Sequence, residues 1–564
     1  MTILRQTIAG SISLLLIPFS AAVYGLESGS LTPRKPNYQL PQLPPLQKTP
    51  LKDNIQLHIP DPKESPITRI EPRFMLKTLH FKGNKSLSDE QLLQAVNAFI
   101  NKKVNRIELE TIRQQLIEVY RQAGYLYPSV LLPSQHISQG LVTYEINEGH
   151  LTHINISGAE RLNENYIRER INLDPEEPIQ QTELLERFQL LLADPLIERV
   201  NGTLKPGIKP GDTILDLDVT RAQAYELHLA MDNYTPPSVG SYTGHLSGTV
   251  RNLTGQGDFL QLDLNGSEGM QSVGSFFSIP FTRYDTRFNL GFQAAQSKVV
   301  DANLAHLKIK NQFVDVNVGI NQPIFRRLNH IFNVELQYAF RQTDTSVLGI
   351  PMPLSAGVGE DGKATINVFR FIQNYITRNT EHVLSLRSSF NVGFDGFNAT
   401  THSGAIPDGR YFSWQGQVHY LRQLDERGTE FFFRTDMQFT SEALLPLERF
   451  ALGGVHTIRG YREYELVRDE GYAMSIEIRY PLWKPAVMKD HQLRVVPFFD
   501  FGQAWNKHQD AKTLYSAGIG LKWQWQQFEA DFYWAKALNN INNAAQEYDA
   551  QDSGIHFQLQ AQIL

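Results

Sequence analysis

From Tyr225 to the end of the chain, hydrophobic side chains recur at every second position. Tyr225, Leu227, Leu229 and Met231 share one face, while Glu226, His228 and Asp232 take the other. Phe288, Leu290 and Phe292 oppose Arg287, Asn289 and Gln293; Val314, Val316 and Val318 oppose Asp315 and Asn317. Phe332, Val334, Leu336 and Tyr338 oppose Asn333, Glu335 and Gln337, and Phe431, Phe433, Met437 and Phe439 oppose Arg434, Asp436 and Gln438. Ile519, Leu521, Trp523 and Trp525 oppose Lys522 and Gln524, and Phe528, Phe532 and Trp534 oppose Glu529 and Asp531. The last run is Ile555, Phe557, Leu559, Ala561 and Ile563. A period of two predicts strands with one apolar and one polar face.

Upstream, between Phe74 and Arg221, the period alternates between two and 3.6, and one small pattern occurs twice. A strand over Met75 to Lys82 closes at Gly83-Asn84 and leads into a helix near Ser88 to Phe99, with Leu92, Leu93, Val96 and Phe99 as its apolar stripe. A second helix near Ile107 to Ala123 carries Leu109, Ile112, Leu116, Val119 and Tyr120 on one face and stops at Gly124. Strands near Ser129 to Leu132 and Leu141 to Asn147 complete the unit. The pattern restarts with a strand at Leu151 to Ser157, helices near Asn163 to Ile171 and Thr182 to Ala193, and strands near Val200 to Lys205 and Thr213 to Thr220. Residues 74–149 and 150–222 thus read as two α+β modules of about 70 to 75 residues, each large enough for a small core.

For the region 223–564 two architectures compete. In a soluble sandwich the apolar faces meet each other; in a membrane barrel they meet lipid, and the polar faces line a water-filled lumen. Many of the runs approach the roughly 9 to 11 residues that cross a bilayer at a tilt, longer than most soluble strands. Tyr411, Trp414 and Trp534 near strand ends suit interfacial girdles, and the runs number about sixteen, an even count as single-chain bacterial barrels require. A transmembrane β-barrel is the expectation.

Composition sharpens this. Aromatic residues make up 11% of the 564 residues while the mean hydropathy is −0.32, so apolar residues are abundant but dispersed. No run of about 18 apolar residues offers a membrane helix. Arg5, the apolar stretch Ile8 to Phe19 and the small residues Ser20, Ala21 and Ala22 read as a secretory signal peptide within residues 1–25. Residues 26–73, with prolines at 33, 36, 41, 44, 45, 50, 60, 62 and 66, read as an extended linker. The chain has no cysteine, which excludes thiolate zinc sites and cysteine nucleophiles. A net charge of −6 does not suggest nucleic acid as a partner. With neither a Walker-type phosphate loop nor an HExxH zinc motif, no cofactor or metal is expected. His456 lacks a visible nucleophile and orienting partner, so no catalytic residue is assigned.

The most specific segment is Leu452-Gly453-Gly454-Val455-His456-Thr457-Ile458-Arg459-Gly460-Tyr461, inside a connection at 441–471. About thirty residues is long for a connection that only turns the chain. Downstream, Phe499-Asp500-Phe501-Gly502 alternates so that Asp500 faces the lumen. If the loop folds inward, Arg459 can meet Asp500, and a bidentate guanidinium–carboxylate pair would hold the loop in one pose.

The chain resembles the two-partner secretion transporters of the outer membrane, the hemolysin-activator and adhesin-exporter branch of the Omp85 superfamily. The likeness rests on the paired modules, Asp232-Asn233, Gly240, Gly244, Asn252-Leu253, Gly257-Asp258, the Arg459-Gly460-Tyr461 loop and the Phe499-Asp500-Phe501-Gly502 strand. It implies a sixteen-stranded barrel, a loop lock of Arg459, Gly460, Tyr461, Asp500 and Gly502, and two periplasmic POTRA domains that recognise the secretion domain of a TpsA-type exoprotein. The family also implies a plug helix, which here must be short or lie in the proline-free stretch Leu51 to Ile59.

Strand addition at a POTRA sheet edge is the expected mode of capture, with Val130, Leu131 and Leu132 in the first module and Leu204 and Ile214 in the second as edge and groove positions. Lipid and the barrel assembly machinery are further expected partners. The alternative is an Omp85-type assembly factor, which carries more POTRA modules; a solute porin would need none.

Overall fold

The computed structural model describes residues 73–171, 177, 178, 180–483, 491–507, 509–539 and 548–564, together with Leu43, Leu46 and the backbone of Ile55–His58. The expected signal peptide and the rest of the 26–73 segment lie outside the described residues. The chain forms two compact units, one built on Ala224–Leu253 and Asp258–Leu564, the other ending at Gln223 and including Thr254–Gly257.

The N-terminal unit begins with β1 (Ile55–His58), which adds to the second module, as described below. The stretch in which a plug helix had room thus contains a strand. The first module comprises β2 (Phe74–Leu76), β3 (Thr78–Lys82), β4 (Lys102–Val104), β5 (Ser129–Leu131) and β6 (Leu141–Asn147), with helices Asp89–Val96 and Arg106–Gln122. Both helices start at reciprocal caps, Ser88 with Gln91 and Asn105 with Glu108, which satisfy amides that have no partner inside the helix. Gly124, at φ +86°, supplies the left-handed residue that ends the second. Leu92, Val96, Leu109, Ile112, Leu116 and Tyr120 pack under the sheet, so the predicted stripes are its core.

The second module repeats the order with β7 (His150–Ser157), helices Glu164–Ile171 and Gln181–Leu192, β8 (Ile197–Pro206) and β9 (Asp212–Arg221). Its sheet runs β1-β8-β9-β7, with β9 in the centre, and the first module's sheet runs β3-β6-β5. Leu126 of the first module packs into the core of the second, and the amide of Gln181 donates to the Gly124 carbonyl at 2.8 Å, so the two modules are docked on each other.

The second unit is a closed antiparallel barrel. Its strands are β10 (Tyr225–Asp232), β11 (Thr243–Arg251), β12 (Phe259–Gly266), β13 (Met270–Pro280), β14 (Arg287–Lys298), β15 (Lys310–Arg326) and β16 (His330–Val347). After a two-residue β17 (Ile350–Pro351) come β18 (Lys363–Arg378), β19 (His382–Gly393), β20 (Tyr411–Gln423) and β21 (Glu430–Thr440). Beyond a short hairpin of β22 (Phe450–Leu452) and β23 (Leu466–Arg468) follow β24 (Glu470–Trp483), β25 (His491–Trp505), β26 (Lys512–Trp525), β27 (Phe528–Ala537) and β28 (Ile555–Gln562). Sixteen of these form the wall, and β10 pairs with β28 to close it.

Burial decides between sandwich and barrel. Leu290, Phe292, Leu336, Phe499, Ile519, Leu521 and Phe532 stand exposed on the outside, while Asn289, Asp436, Gln438, Asp500 and Ser516 are buried inside. A soluble sandwich would bury the first group; a lipid-facing barrel leaves it outward and turns the polar face to the lumen. No helix among the described residues is long and apolar enough to cross a membrane. Trp414 and Trp534 lie on the outer face, but Tyr411 does not: it is 4% exposed and packs inward against Leu444, Leu445 and Leu447. It begins β20 in phase with Ser413 and Gln415, and strand phase outweighs aromatic character.

Candidate functional site in the barrel lumen

The connection between β21 and β24 folds into the barrel. Its stem is the antiparallel hairpin of β22 and β23, and its tip turns at Gly453 and Gly454. Inside the tip the Gly454 amide donates to the Ile458 carbonyl at 3.0 Å, and the Val455 amide donates to Glu463 Oε1 at 2.7 Å. The tip thus holds its turn partly through its own hydrogen bonds.

Apolar side chains seat the hairpin. Phe450, Leu452, Ile458, Tyr461 and Leu466 pack onto Ala473, Ala504 and Leu514 of the wall. The wall leaves room for the loop there, since Ala473, Gly502 and Ala504 carry little or no side chain. A Cβ on Gly502 would lie 2.7 Å from Leu452 Cδ1 and 3.1 Å from Ile458 Cδ1, so Gly502 is the gap into which the loop packs.

Arg459 and Asp500 come together at this seat. Arg459 Nε donates to Asp500 Oδ2 at 2.8 Å, Nη2 donates to Oδ1 at 2.7 Å, and the Arg459 amide donates to Oδ2 at 3.0 Å. The remaining guanidinium capacity goes to neighbours on β24: Nη1 to Glu477 Oε1 and Nη2 to Ser475 Oγ, both at 2.8 Å. The guanidinium lies over the Phe498 ring at 3.4 Å from its centroid. Arg459 is 1% exposed and Asp500 0%, which places the pair in the buried class, where losing one partner costs about 3–5 kcal/mol.

The rest of the triplet docks alongside. Gly460, at φ +91°, fits against Ala535, where a Cβ would come within 3.1 Å of the Ala535 Cβ. The Tyr461 hydroxyl donates toward the Tyr515 carbonyl at 3.1 Å and the Asn539 carbonyl at 2.9 Å. Arg462 pairs with Asp552, just before β28.

A second anchor, which sequence reasoning missed, holds the loop where it leaves β21. Glu448, 1% exposed, accepts from Arg341 Nη1 at 2.6 Å and from Arg370 Nη2 at 2.9 Å through Oε1. Arg341, on β16, also donates to Asp315 at 2.8 Å and to the Leu447 carbonyl at 2.8 Å. The two anchors use different stretches of wall, β16 and β18 for Glu448, β24 and β25 for Arg459. The loop thus bridges the lumen. Leu43, from the N-terminal segment, lines a lumenal cavity of about 410 Å³ together with Arg459, Glu477 and Tyr533.

The expected capture positions fall in different settings. Val130 is buried in the first module's core, Leu131 is exposed on edge strand β5, and Leu132 is partly buried beyond it. Arg113 Nη1 donates to the Val130 carbonyl at 3.3 Å while Glu110 holds its Nε at 2.7 Å. The Arg113 hydrogen bond keeps the Glu110 carboxyl below its ordinary pKa. Past β5, Pro133 offers no amide, and the Gln135 side chain bonds both the amide and the carbonyl of Thr143 at 2.8 Å, capping the stretch of β6 that β5 leaves uncovered. Leu204 lies on β8, buried, its carbonyl accepting the Tyr127 hydroxyl at 3.4 Å. Ile214 belongs to the central strand β9, bonded on both sides, and presents no free edge.

Comparison with known proteins agrees with this architecture. Residues 211–523 match the family described as haemolysin secretion/activation protein ShlB/FhaC/HecB, and residues 74–149 match the ShlB-type POTRA domain. The heme/hemopexin transporter protein HuxB of Haemophilus influenzae (strain 86-028NP) is 24% identical over 82% of this chain and 83% of its own. The outer membrane transporter CdiB of Dickeya dadantii (strain 3937) is 21% identical over 81% of this chain and 82% of its own. The solved structure of CdiB from Escherichia coli superposes with a TM-score of 0.66 at 16% identity, covering 89% of this chain and 93% of that one. With its N-terminal POTRA domains and sixteen-stranded barrel, the chain belongs to the ShlB/FhaC/HecB family of outer-membrane two-partner secretion transporters.

Proposed function

We propose that this chain moves one dedicated large exoprotein across the outer membrane, its POTRA domains capturing the secretion domain and its barrel serving as the pore. The relatives' names cover heme/hemopexin transport, hemolysin transport and the CdiB transporters, which supports a heme-binding exoprotein, a hemolysin or a contact-dependent inhibition toxin as cargo; an adhesin is the further class the sequence resemblance implies. The observation that carries the reading is the loop across the lumen, held by a buried Arg459–Asp500 pair above a polar wall. A solute pore would not need the POTRA modules that precede this barrel. An exporter needs a closed rest state that a passing chain can open.

In this reading Arg459, Gly460, Tyr461, Asp500 and Gly502 together hold the loop in its closed pose. The periplasm holds no nucleotide, so capture and folding of the cargo outside supply the direction. Lipid contacts the outer apolar band, and the barrel assembly machinery inserts the chain.

The test compares cells with and without this gene, and with Arg459→Ala, for surface and medium levels of the exoprotein and of unrelated barrels. Loss of the one exoprotein alone supports the exporter. A joint fall of many barrels would make the chain an assembly factor, and normal export by Arg459→Ala would remove the loop from the mechanism.

A further inference from the structure

Three arginines step down one sector of the lumenal wall. Arg341 on β16 stands opposite Ile366 of β18, and Arg370 lies four residues further along β18. Arg387 on β19 stands opposite Asn374, four residues further again. At about 3.3 Å per residue, each step is about 13 Å. The wall starts at Tyr225, directly after the second periplasmic module, and its strands alternate in direction, so β18 runs from the outer end toward the periplasm. A chain entering from the periplasm therefore meets Arg387 first and Arg341 last. All three line one lumenal cavity of about 210 Å³.

Their acceptors thin out toward the periplasm. Arg341 holds Asp315, the Leu447 carbonyl and Glu448. Arg370, 8% exposed, bonds Glu448 alone among the described residues, at 2.9 and 3.2 Å, and its Nε has no hydrogen-bond partner there. Arg387 donates from Nη1 to Asn374 Oδ1 at 3.2 Å and forms no salt bridge among the described residues. The cavity's own carboxylates are engaged elsewhere: Asp315 with Arg341, Glu335 with Asn289, and Asp263 with Ser247.

We infer that Arg387, Arg370 and Arg341 form a carboxylate-binding path for the exported chain, and that Glu448 of the loop occupies its last site at rest. The inference rests on the exporter reading and names what the lumen recognises, the aspartate and glutamate side chains of an extended segment. Glu448 displays that chemistry, a carboxylate held between two guanidinium groups. If the base of the loop left without a replacement, Arg370 would stay buried with its charge unpaired, the state in which a broken ion pair loses most. A carboxylate that arrives by way of Arg387 takes over this role, so the loop is released as the cargo's acid moves in. The steps suit an extended chain, in which about 13 Å is the reach of four residues. Acidic residues four apart in the cargo would hold two sites at once.

Planar bilayers containing the purified full-length protein test this, with oligoglutamate as the probe, since its like charges keep it extended. Added on the periplasmic side, oligoglutamate should increase the frequency of channel openings, and oligoglutamine of the same length should not. Arg387→Gln should raise the oligoglutamate concentration required about tenfold, the effect of one lost charged hydrogen bond, and Arg387→Lys should restore most of the response. Hydrogen exchange over 446–450 without peptide reports whether either variant has loosened the loop itself, from which Arg387 is separate. Openings that ignore oligoglutamate, that respond equally to oligoglutamine, or that are unchanged by Arg387→Gln would overturn the inference.

Export separates this from the reading beneath it. Arg387→Glu should lower export of the exoprotein while heat-modifiable mobility shows a folded barrel. Normal export by that variant would overturn the inference and leave the exporter reading intact, whereas export that persists without the gene would overturn the exporter reading itself. If Arg387→Glu does not fold, the peptide response of the unaltered protein decides.

Discussion

The loop that crosses the barrel is anchored at its tip and at its base by inverse arrangements of charge. At the tip one arginine, Arg459, sits between two carboxylates, Asp500 and Glu477; at the base one carboxylate, Glu448, sits between two arginines, Arg341 and Arg370. Both clusters are buried, yet they are not equally complete. All three guanidinium nitrogens of Arg459 donate, while Nε of Arg370 has no hydrogen-bond partner among the described residues. The tip also stacks on Phe498 and uses both Asp500 oxygens for short bonds. At the base, Oε1 of Glu448 takes the shortest bond from each arginine. The number of charges does not separate the anchors; the number of atoms that lose a partner when one group changes does.

The largest expected effect is therefore Asp500→Asn. An amide cannot present two acceptor oxygens, so one of its atoms becomes a donor facing Nε or Nη2 of Arg459. Breaking a buried pair in this way costs about 3–5 kcal/mol. Amide hydrogen exchange across 453–463 should accelerate, and channel openings in planar bilayers should become frequent. Retained protection would show that the apolar seat alone holds the tip.

Glu448→Gln is expected to do less. The side-chain oxygen of glutamine can take the place of Oε1 and keep a bond to Arg341 and to Arg370, and Arg341 retains Asp315 at 2.8 Å. Weakening of charged hydrogen bonds corresponds to about 1.5–3 kcal/mol at most. Exchange should quicken around 446–450 and leave the tip protected. An effect at the tip as large as that of Asp500→Asn would mean that the anchors open as one unit and the comparison between them fails.

Gly502→Leu tests the seat without touching charge. Its side chain would enter space held by Leu452 and Ile458, with the Tyr472 carbonyl 2.8 Å from the new Cβ. Overpacking of this kind costs about 1–3 kcal/mol. Heat-modifiable mobility on gels should show a folded barrel, while the loop becomes accessible to protease.

These anchors also show what can be seen in a sequence. The barrel and the modules are local facts: a period of two gives strands, a 3.6 period closed by Ser88, Asn105 and Gly124 gives helices, and both survive in the structure. Arg459 and Asp500 were legible together because alternation turns Asp500 inward and a long loop brings an arginine to it. Glu448 was not, since its partners Arg370 and Arg341 stand 78 and 107 residues away and meet it only through the path of the loop. Ile214 illustrates the same limit in the modules. Alternation identifies its strand, but only the order β1-β8-β9-β7 reveals that this strand is central. Nothing in the prolines of the N-terminal segment announces that Ile55–His58 supplies an edge strand.

The smallest effect belongs to Tyr461→Phe, and its size separates two ways of holding the tip. Tyr461 is buried against Leu514 and Ala504, and its hydroxyl reaches the Tyr515 and Asn539 carbonyls. Phenylalanine keeps the packing and removes the hydroxyl, leaving the two carbonyls and the Asn539 side-chain oxygen short of one donor. A single neutral hydrogen bond contributes about 0.5–1.5 kcal/mol, so export and conductance should stay near wild type while exchange at 460–462 rises modestly. Leucine at the same position would also remove the ring from its seat, and its effect should exceed that of phenylalanine. If phenylalanine instead opens the channel as often as Asp500→Asn, the hydroxyl contacts carry the closed pose and the buried ion pair only accompanies them.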